Sequence, residues 1–355
     1  MKKVSLDPVI QCDVEWYLES GGLSFPPTIV LGAGGMLGSY IAAFITGVNH
    51  KLGVPNRTTA VMRSNNKYIE QMSHSHRLDV FDFSQVRASI LSQQGALVIH
   101  AASPASVVQM LDGPKDIVDS NVVLTLEVCE AMASAGGHLT FLSSGEVYGP
   151  NAPIPTRESD YSAFDHLSTR GSYPELKRAA EVIIQTWSKA HHFSASSLRV
   201  YHTFGPGLRD KDERIFSEAL KSVLRSEDIF LNSTGEATRS FLYVLDLVTA
   251  ISATRQGTGF EEYNVASDAE ISILSFAQKA ATLNKEVQVI LPKEVGNLIG
   301  NPNRSPILRG GANTSKLQST GWSQSVDLGD ALSRTLQSMK WRVENGFSKY
   351  SASKK

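Results

Sequence analysis

The chain has 355 residues, 41% of them apolar and 19% charged, with a formal net charge of −1. That supports an ordinary core in one large domain or two joined ones, and gives no electrostatic reason for nucleic acid or an acidic membrane as partner. Cys12 and Cys129 lie far apart and fit no metal-ligand spacing, the first twenty residues hold no signal-peptide core, and no apolar run reaches membrane-span length. Reduced thiols in a cytoplasmic protein are the expectation.

Residues 1–25 read as an arm carrying a short helix over 13–20, closed by Gly21 and Gly22. The body starts with a short apolar run at 28–31, and similar runs follow at 59–62, 96–99 and 139–142. Helical patterns at 36–46 and 118–133 lie between them. Strands alternating with helices predict an α/β fold, a Rossmann-type doubly wound parallel sheet over 26–204. Beyond it, glycine, charge, short strands and helices such as 215–225 mix, which predicts a smaller C-terminal α/β substrate-binding domain over 205–345, partly interleaved with the first. Residues 346–355 read as a polar, frayed tail.

The first apolar run leads into Gly32-Ala33-Gly34-Gly35-Met36-Leu37-Gly38 and then a helix. Gly32 permits the tight turn, Gly35 lets backbone approach a pyrophosphate, and Gly38 allows helix to pack on strand. The amide ends at Met36, Leu37 and Gly38 and the helix dipole favour an anion there. Glycines also serve plain turns; the strand–loop–helix context is what points to a dinucleotide. After the second strand stands Arg63 rather than an acid. It could grip a 2′-phosphate, stack on adenine or face water. Asp79 is either an acceptor for the adenine amino group or a solvated loop residue. NAD is the expected cofactor, with NADP admitted.

Tyr173 and Lys177 are spaced i, i+4, which puts them on one helical face. An ammonium beside the phenol would lower a pKa that is otherwise near ~10 and too high for a base at neutral pH. Ser144 ends a predicted strand about thirty residues earlier, where its hydroxyl could hold a sugar hydroxyl or carbonyl beside Tyr173.

Five stretches, GAGGMLG at 32–38, HAASPAS at 100–106, LSSGEVYG at 142–149, YPELK at 173–177 and TRSFLYVLD at 238–246, make the chain resemble the extended short-chain dehydrogenase/reductases of the NAD-dependent epimerase/dehydratase family, over residues 28–340. Within the family it looks most like the UDP-glucuronate decarboxylases. The resemblance implies a catalytic set of Ser144, Tyr173 and Lys177 with Glu146 as an added acid or base, cofactor contacts at Ala101, Ala102 and Ser103, and a homodimer built through a four-helix interface. It also places Arg214 and Arg239 on the substrate diphosphate and Arg304 on the sugar. Two departures stand out. Gly145 occupies the position of the acid that dehydratases place before Glu, and His202 replaces the Asn before Thr-Phe-Gly-Pro, so His202 is expected as a substrate-facing wall residue. No His/Cys/Asp cluster suggests a metal.

These residues imply a nucleotide-diphosphate-sugar enzyme that oxidises C4 transiently and then decarboxylates, dehydrates or epimerises. A net reductase that exchanges its cofactor and a non-catalytic dinucleotide-binding regulator are the alternatives.

Overall fold

The computed structural model describes residues 6–350 except 56, 64, 75, 77, 105–112, 164, 169–170 and 293–307. Asp7 caps α1 (Pro8–Glu19), accepting from the Val9 amide at 3.1 Å, and Pro8 fills a first-turn position that needs no amide hydrogen. The arm's helix therefore starts at Pro8 instead of residue 13. It stops at Gly21, whose φ of 85° suits glycine. Val9, Ile10, Val14 and Tyr17 are buried, so the arm packs into the body.

The body begins with β1 (Thr28–Leu31), α2 (Met36–Lys51), β2 (Thr58–Val61), α3 (Lys67–Ser73), β3 (Leu78–Phe81), α4 (Val86–Leu91) and β4 (Leu97–His100). Then α5 (Pro114–Val118) runs through a π turn at Asp119–Val123 into α6 (Leu124–Ala135), followed by β5 (His138–Ser144), α7 (Ser172–His191) and β6 (Ser194–Val200). The second part holds β7 (His202–Phe204), α8 (Ile215–Arg225), β8 (Ile229–Phe230), β9 (Thr238–Tyr243), α9 (Val244–Thr254) and β10 (Phe260–Val265). It ends with β11 (Glu270–Ser272), α10 (Ile273–Ala281), β12 (Val289–Ile290), α11 (Ser315–Gln318) and α12 (Leu328–Glu344).

Seven parallel strands form the main sheet in the order β10-β6-β5-β4-β1-β2-β3. Every residue of β1, β2, β4 and β5 is buried, as a sheet covered on both faces requires. The strand order reverses between β1 and β4, and loops leaving such a switch point diverge, opening a crevice at the carboxyl edge. A three-stranded sheet, β11-β9-β7, lies beyond that edge. Between β6 and β7 the chain has a single residue, Tyr201, so the step from main sheet to second layer is abrupt.

The described part of the tail, up to residue 350, departs from the expected fraying. Phe347 is half-buried and Tyr350 is 1% exposed, its hydroxyl donating to the Leu208 carbonyl at 3.0 Å, while the Lys349 and Tyr350 amides donate to the Asp210 carboxylate. A large aromatic with a hydrogen-bonded hydroxyl anchors what the polar residues around it suggested was frayed.

Candidate active site

The glycine loop shows two different uses of glycine. A Cβ on Gly32 (φ 86°) would lie 2.7 Å from the Ala102 backbone, and one on Gly38 would lie 2.3 Å from the Gly32 carbonyl oxygen. Both are demanded by the fold's own packing. At Gly35 the nearest neighbour is the Gly32 oxygen at 3.3 Å, and this residue faces a cleft. α2 starts there with no side-chain cap. Amide hydrogens at a long helix's N-terminus, beside a glycine open to a cleft, fit a dinucleotide pyrophosphate. Met36 lines this cleft, Leu37 and Ala101 line the adjoining one, and Ser103 lines both.

The two residues expected near adenosine behave differently. Arg63 does sit at the carboxyl end of β2, but its Nη1 is 2.6 Å from the Asp116 carboxylate, so a 2′-phosphate would have to displace an existing partner. Asp79 does not reach the site. Register pairs it with Thr59, inside the strand, and it is bound to Arg57 at 3.0 Å at the amino end of the sheet. The acid at the carboxyl edge is Asp82, just past β3, which caps the following turn.

Ser144 ends β5, and its hydroxyl accepts from the Glu146 amide at 3.2 Å, which starts a tight 3-10 turn at Gly145–Tyr148. Tyr173 and Lys177 project from the first turns of α7. The Ser144 hydroxyl bonds the Tyr173 phenol. Lys177, 3% exposed, donates to the Leu142 carbonyl at 2.8 Å and lies 6.0 Å from the Tyr173 ring centroid. Burial pushes the Tyr173 phenol up to about 12, with the Glu146 charge adding to it and Ser144 and Arg214 opposing. Burial pulls Lys177 down to about 7, against the pull of Glu181. Lys177 directs its donor to the Leu142 carbonyl, and its charge is not among the influences that set the Tyr173 phenol.

Three arginines line the same cleft, namely Arg214, Arg239 and Arg309. Arg214 is gripped by the Asp212 carboxylate, with Nε at 3.0 Å and Nη2 at 2.5 Å, and lies 4.6 Å from the Phe216 ring. Arg239 is buried on β9 and donates to the Thr238 carbonyl at 2.7 Å. Arg309 pairs with Glu270 at 2.9 Å. Arg304 lies outside the described residues. His202 lines the cleft with its ring edge-on to Phe241 at 5.8 Å.

Three residues not singled out from sequence also shape the site. Arg309 is one. Asn121, buried in the π turn, donates to the Ser103 hydroxyl at 3.1 Å and so ties helix α5–α6 to the loop after β4; in sequence it merges with the polar Asp119 and Ser120 before it and gives no signal of its own. The third is Tyr201. A Cβ on Gly145 would lie 2.7 Å from its ring, and the Tyr201 hydroxyl is itself bonded to Thr156. The absent acid at 145 therefore has a steric counterpart.

The sequence model of the NAD dependent epimerase/dehydratase family matches residues 28–266. The chain belongs to this family. UDP-glucuronic acid decarboxylase 5 of Arabidopsis thaliana is 27% identical over 237 residues, covering 66% of this chain and 67% of the relative. The UDP-glucuronic acid 4-epimerase of Bacillus cereus, solved with UDP-glucuronic acid and NAD, superimposes with a TM-score of 0.72 at 19% identity, over 88% of this chain and 99% of that one. The UDP-glucose 4-epimerase of Thermotoga maritima gives 0.72 at 20% identity, over 89% and 99%. At these identities the structural likeness is one of fold. NAD is the family's cofactor, and the uncapped α2, open Gly35 and the Ala101–Ser103 wall suit it. No helix among the described residues is long and apolar enough to cross a membrane.

Proposed function

We propose that this enzyme uses NAD to oxidise C4 of a nucleoside-diphosphate hexuronic acid and then releases the sugar carboxylate as carbon dioxide. The observation that carries the reading is the convergence of Ser144, Glu146, Tyr173 and Lys177 on one cleft that three arginines also line. When bound, NAD supplies the acceptor and later the donor of the C4 hydrogen. Tyr173 takes the proton of the 4-hydroxyl, and Ser144, already bonded to the phenol, donates to the same oxygen. Arg214 and Arg239 neutralise the diphosphate and Arg309 the hexuronate carboxylate. Once C4 is a ketone the sugar is a β-keto acid. The C5–C6 bond breaks, its electron pair passes into the C4 carbonyl as an enolate, and a proton must return to C5. Glu146, two residues from Ser144, is the group placed to handle that proton. Gly145 leaves no acid for elimination of water. The exposed ion pair of Arg63 with Asp116 weakens the case for Arg63 as a grip on a 2′-phosphate, and NAD is the cofactor the reading uses.

Glu146→Gln tests this. With a UDP-hexuronic acid the variant should still reduce bound cofactor, seen in nicotinamide absorbance, while pentose product fails to form and a 4-keto species accumulates. Product at the wild-type rate would show that Glu146 is structural and the second step mis-assigned.

The assembly that suits the reading is a homodimer. Val118, Val123 and Leu126 on the α5–α6 helix and Val182 on α7 are 42%, 55%, 36% and 60% exposed, an apolar face on two helices that pack together. Two unpaired thiols, Cys12 and Cys129, support a reducing, cytoplasmic compartment.

A further inference from the structure

The cleft beside the glycine loop has a wall that the family match does not reach. Gly35, Asn66 and Lys67 line it, as do the charged residues of 209–212; Arg342, on α12, lines it too. Arg342 and its partner Asp7 both lie outside the matched residues 28–266.

Arg342 is 4% exposed. Its Nε donates to Asp7 Oδ2 at 3.3 Å, and the guanidinium carbon stands 4.5 Å from the Tyr68 ring centroid. Asp7 is heavily shared, since it also caps α1 and accepts from the Ser338 hydroxyl at 2.6 Å. Nη2 of Arg342 has no hydrogen-bond partner among the described residues. A buried guanidinium normally has its donors satisfied, so a missing acceptor asks for an explanation. The same cleft holds the start of a sixteen-residue helix with no side-chain cap. Uncapped amides and an under-satisfied arginine want the same thing, an anionic oxygen with several lone pairs. Asn66 caps α3, which puts Lys67 in its first turn at the cleft's edge. The loop after the second strand of a doubly wound sheet is where the adenosine end of a dinucleotide lies.

We infer that Arg342, helped by Lys67, receives a phosphate on the adenosine side of the bound dinucleotide, so that the two ends of this chain complete the cofactor site. The inference rests on the cofactor reading above. Two phosphates share this chemistry, the pyrophosphate of any such cofactor and the 2′-phosphate of NADP.

Calorimetric titration of adenosine, ADP and 2′,5′-ADP into wild type, Arg342→Gln and Lys67→Gln separates them. Arg342→Gln should weaken one of the phosphorylated probes by ~10-fold or more, the scale of a charge-assisted bond, and Lys67→Gln by less, with adenosine binding unchanged. A loss confined to 2′,5′-ADP identifies the 2′-phosphate; a loss with ADP identifies the pyrophosphate. Wild-type affinity for both probes in a folded Arg342→Gln overturns the inference. Should that variant fail to fold, Arg342→Lys, which keeps the charge opposite Asp7, combined with Lys67→Gln decides instead, and unchanged affinities sink the idea. If wild type itself binds neither probe, it is the cofactor reading that falls.

Discussion

At the scale of single residues, Tyr173 carries the sharpest expectation. Burial and the Glu146 charge hold its phenol up at about 12, and a positively charged ring beside it would draw it down. Tyr173→Phe should cost at least ~100-fold in turnover with NAD affinity little changed. Ultraviolet titration of wild type against the variant should show the phenol ionising at lower pH with NAD bound. Wild-type turnover in the variant would remove Tyr173 from the reaction. That Tyr173 and Lys177 share a face was legible in the sequence because i to i+4 spacing on a helix survives folding unchanged, while Ser144 and Glu146, about thirty residues earlier, were drawn to them by the family resemblance. Asp79 was misread because choosing between it and Asp82 needs the register of β3 against β2, which is a long-range property. Arg309 and Tyr201 were missed for the same reason. Their roles arise where β9 and the β6–β7 junction meet the cleft, and no local pattern announces that meeting.

At the scale of elements, the buried strands were readable as apolar runs, though β4 ends on a buried histidine and β5 begins on one, and the apolar pattern leaves both outside. His100 bonds Thr125 at 3.2 Å and His138 bonds Ser196 at 3.0 Å, and Nδ1 of each has no partner among the described residues. Burial holds them far below their ordinary value, at about 3 and about 4, with the charges of Lys177 and Arg255 respectively adding to the effect. Between the ordinary value of 6.5 and these values the unfolded chain binds protons that the folded chain refuses. Stability from these rings is therefore complete above 6.5 and drains away as pH falls, by up to ~1.4 kcal/mol per pH unit for each. Urea unfolding at about pH 7 and about pH 5 should show the loss, and His138→Gln should make it shallower. Equal slopes in variant and wild type would mean the His138 ring charges freely in the fold. The helix boundaries were harder to read. α1 begins at a cap, Asp7, whose other partners include Ser338 and Arg342, far along the chain. The break at Asp119–Val123 carries Asn121, which is bonded to Ser103.

At the scale of the whole molecule, the doubly wound sheet was predictable from alternation alone, while the docking of residues 347–350 on the body was not. Asp13, fully buried, accepts from Tyr40, Tyr243 and Arg334, so the first helix is fixed by groups from three distant elements. Assembly belongs to this scale too. Leu126→Glu with Val182→Glu should convert a dimer to a monomer in sedimentation without shifting the circular dichroism spectrum, because both side chains are substantially exposed in the single chain. A wild type already monomeric at high concentration would refute that arrangement. The one-residue passage between β6 and β7 has a steric consequence. It seats the Tyr201 ring against the turn after β5, where a Cβ at 145 would stand 2.7 Å from it. The ring works as a shim, and any residue larger than glycine at 145 has to push it out of its seat.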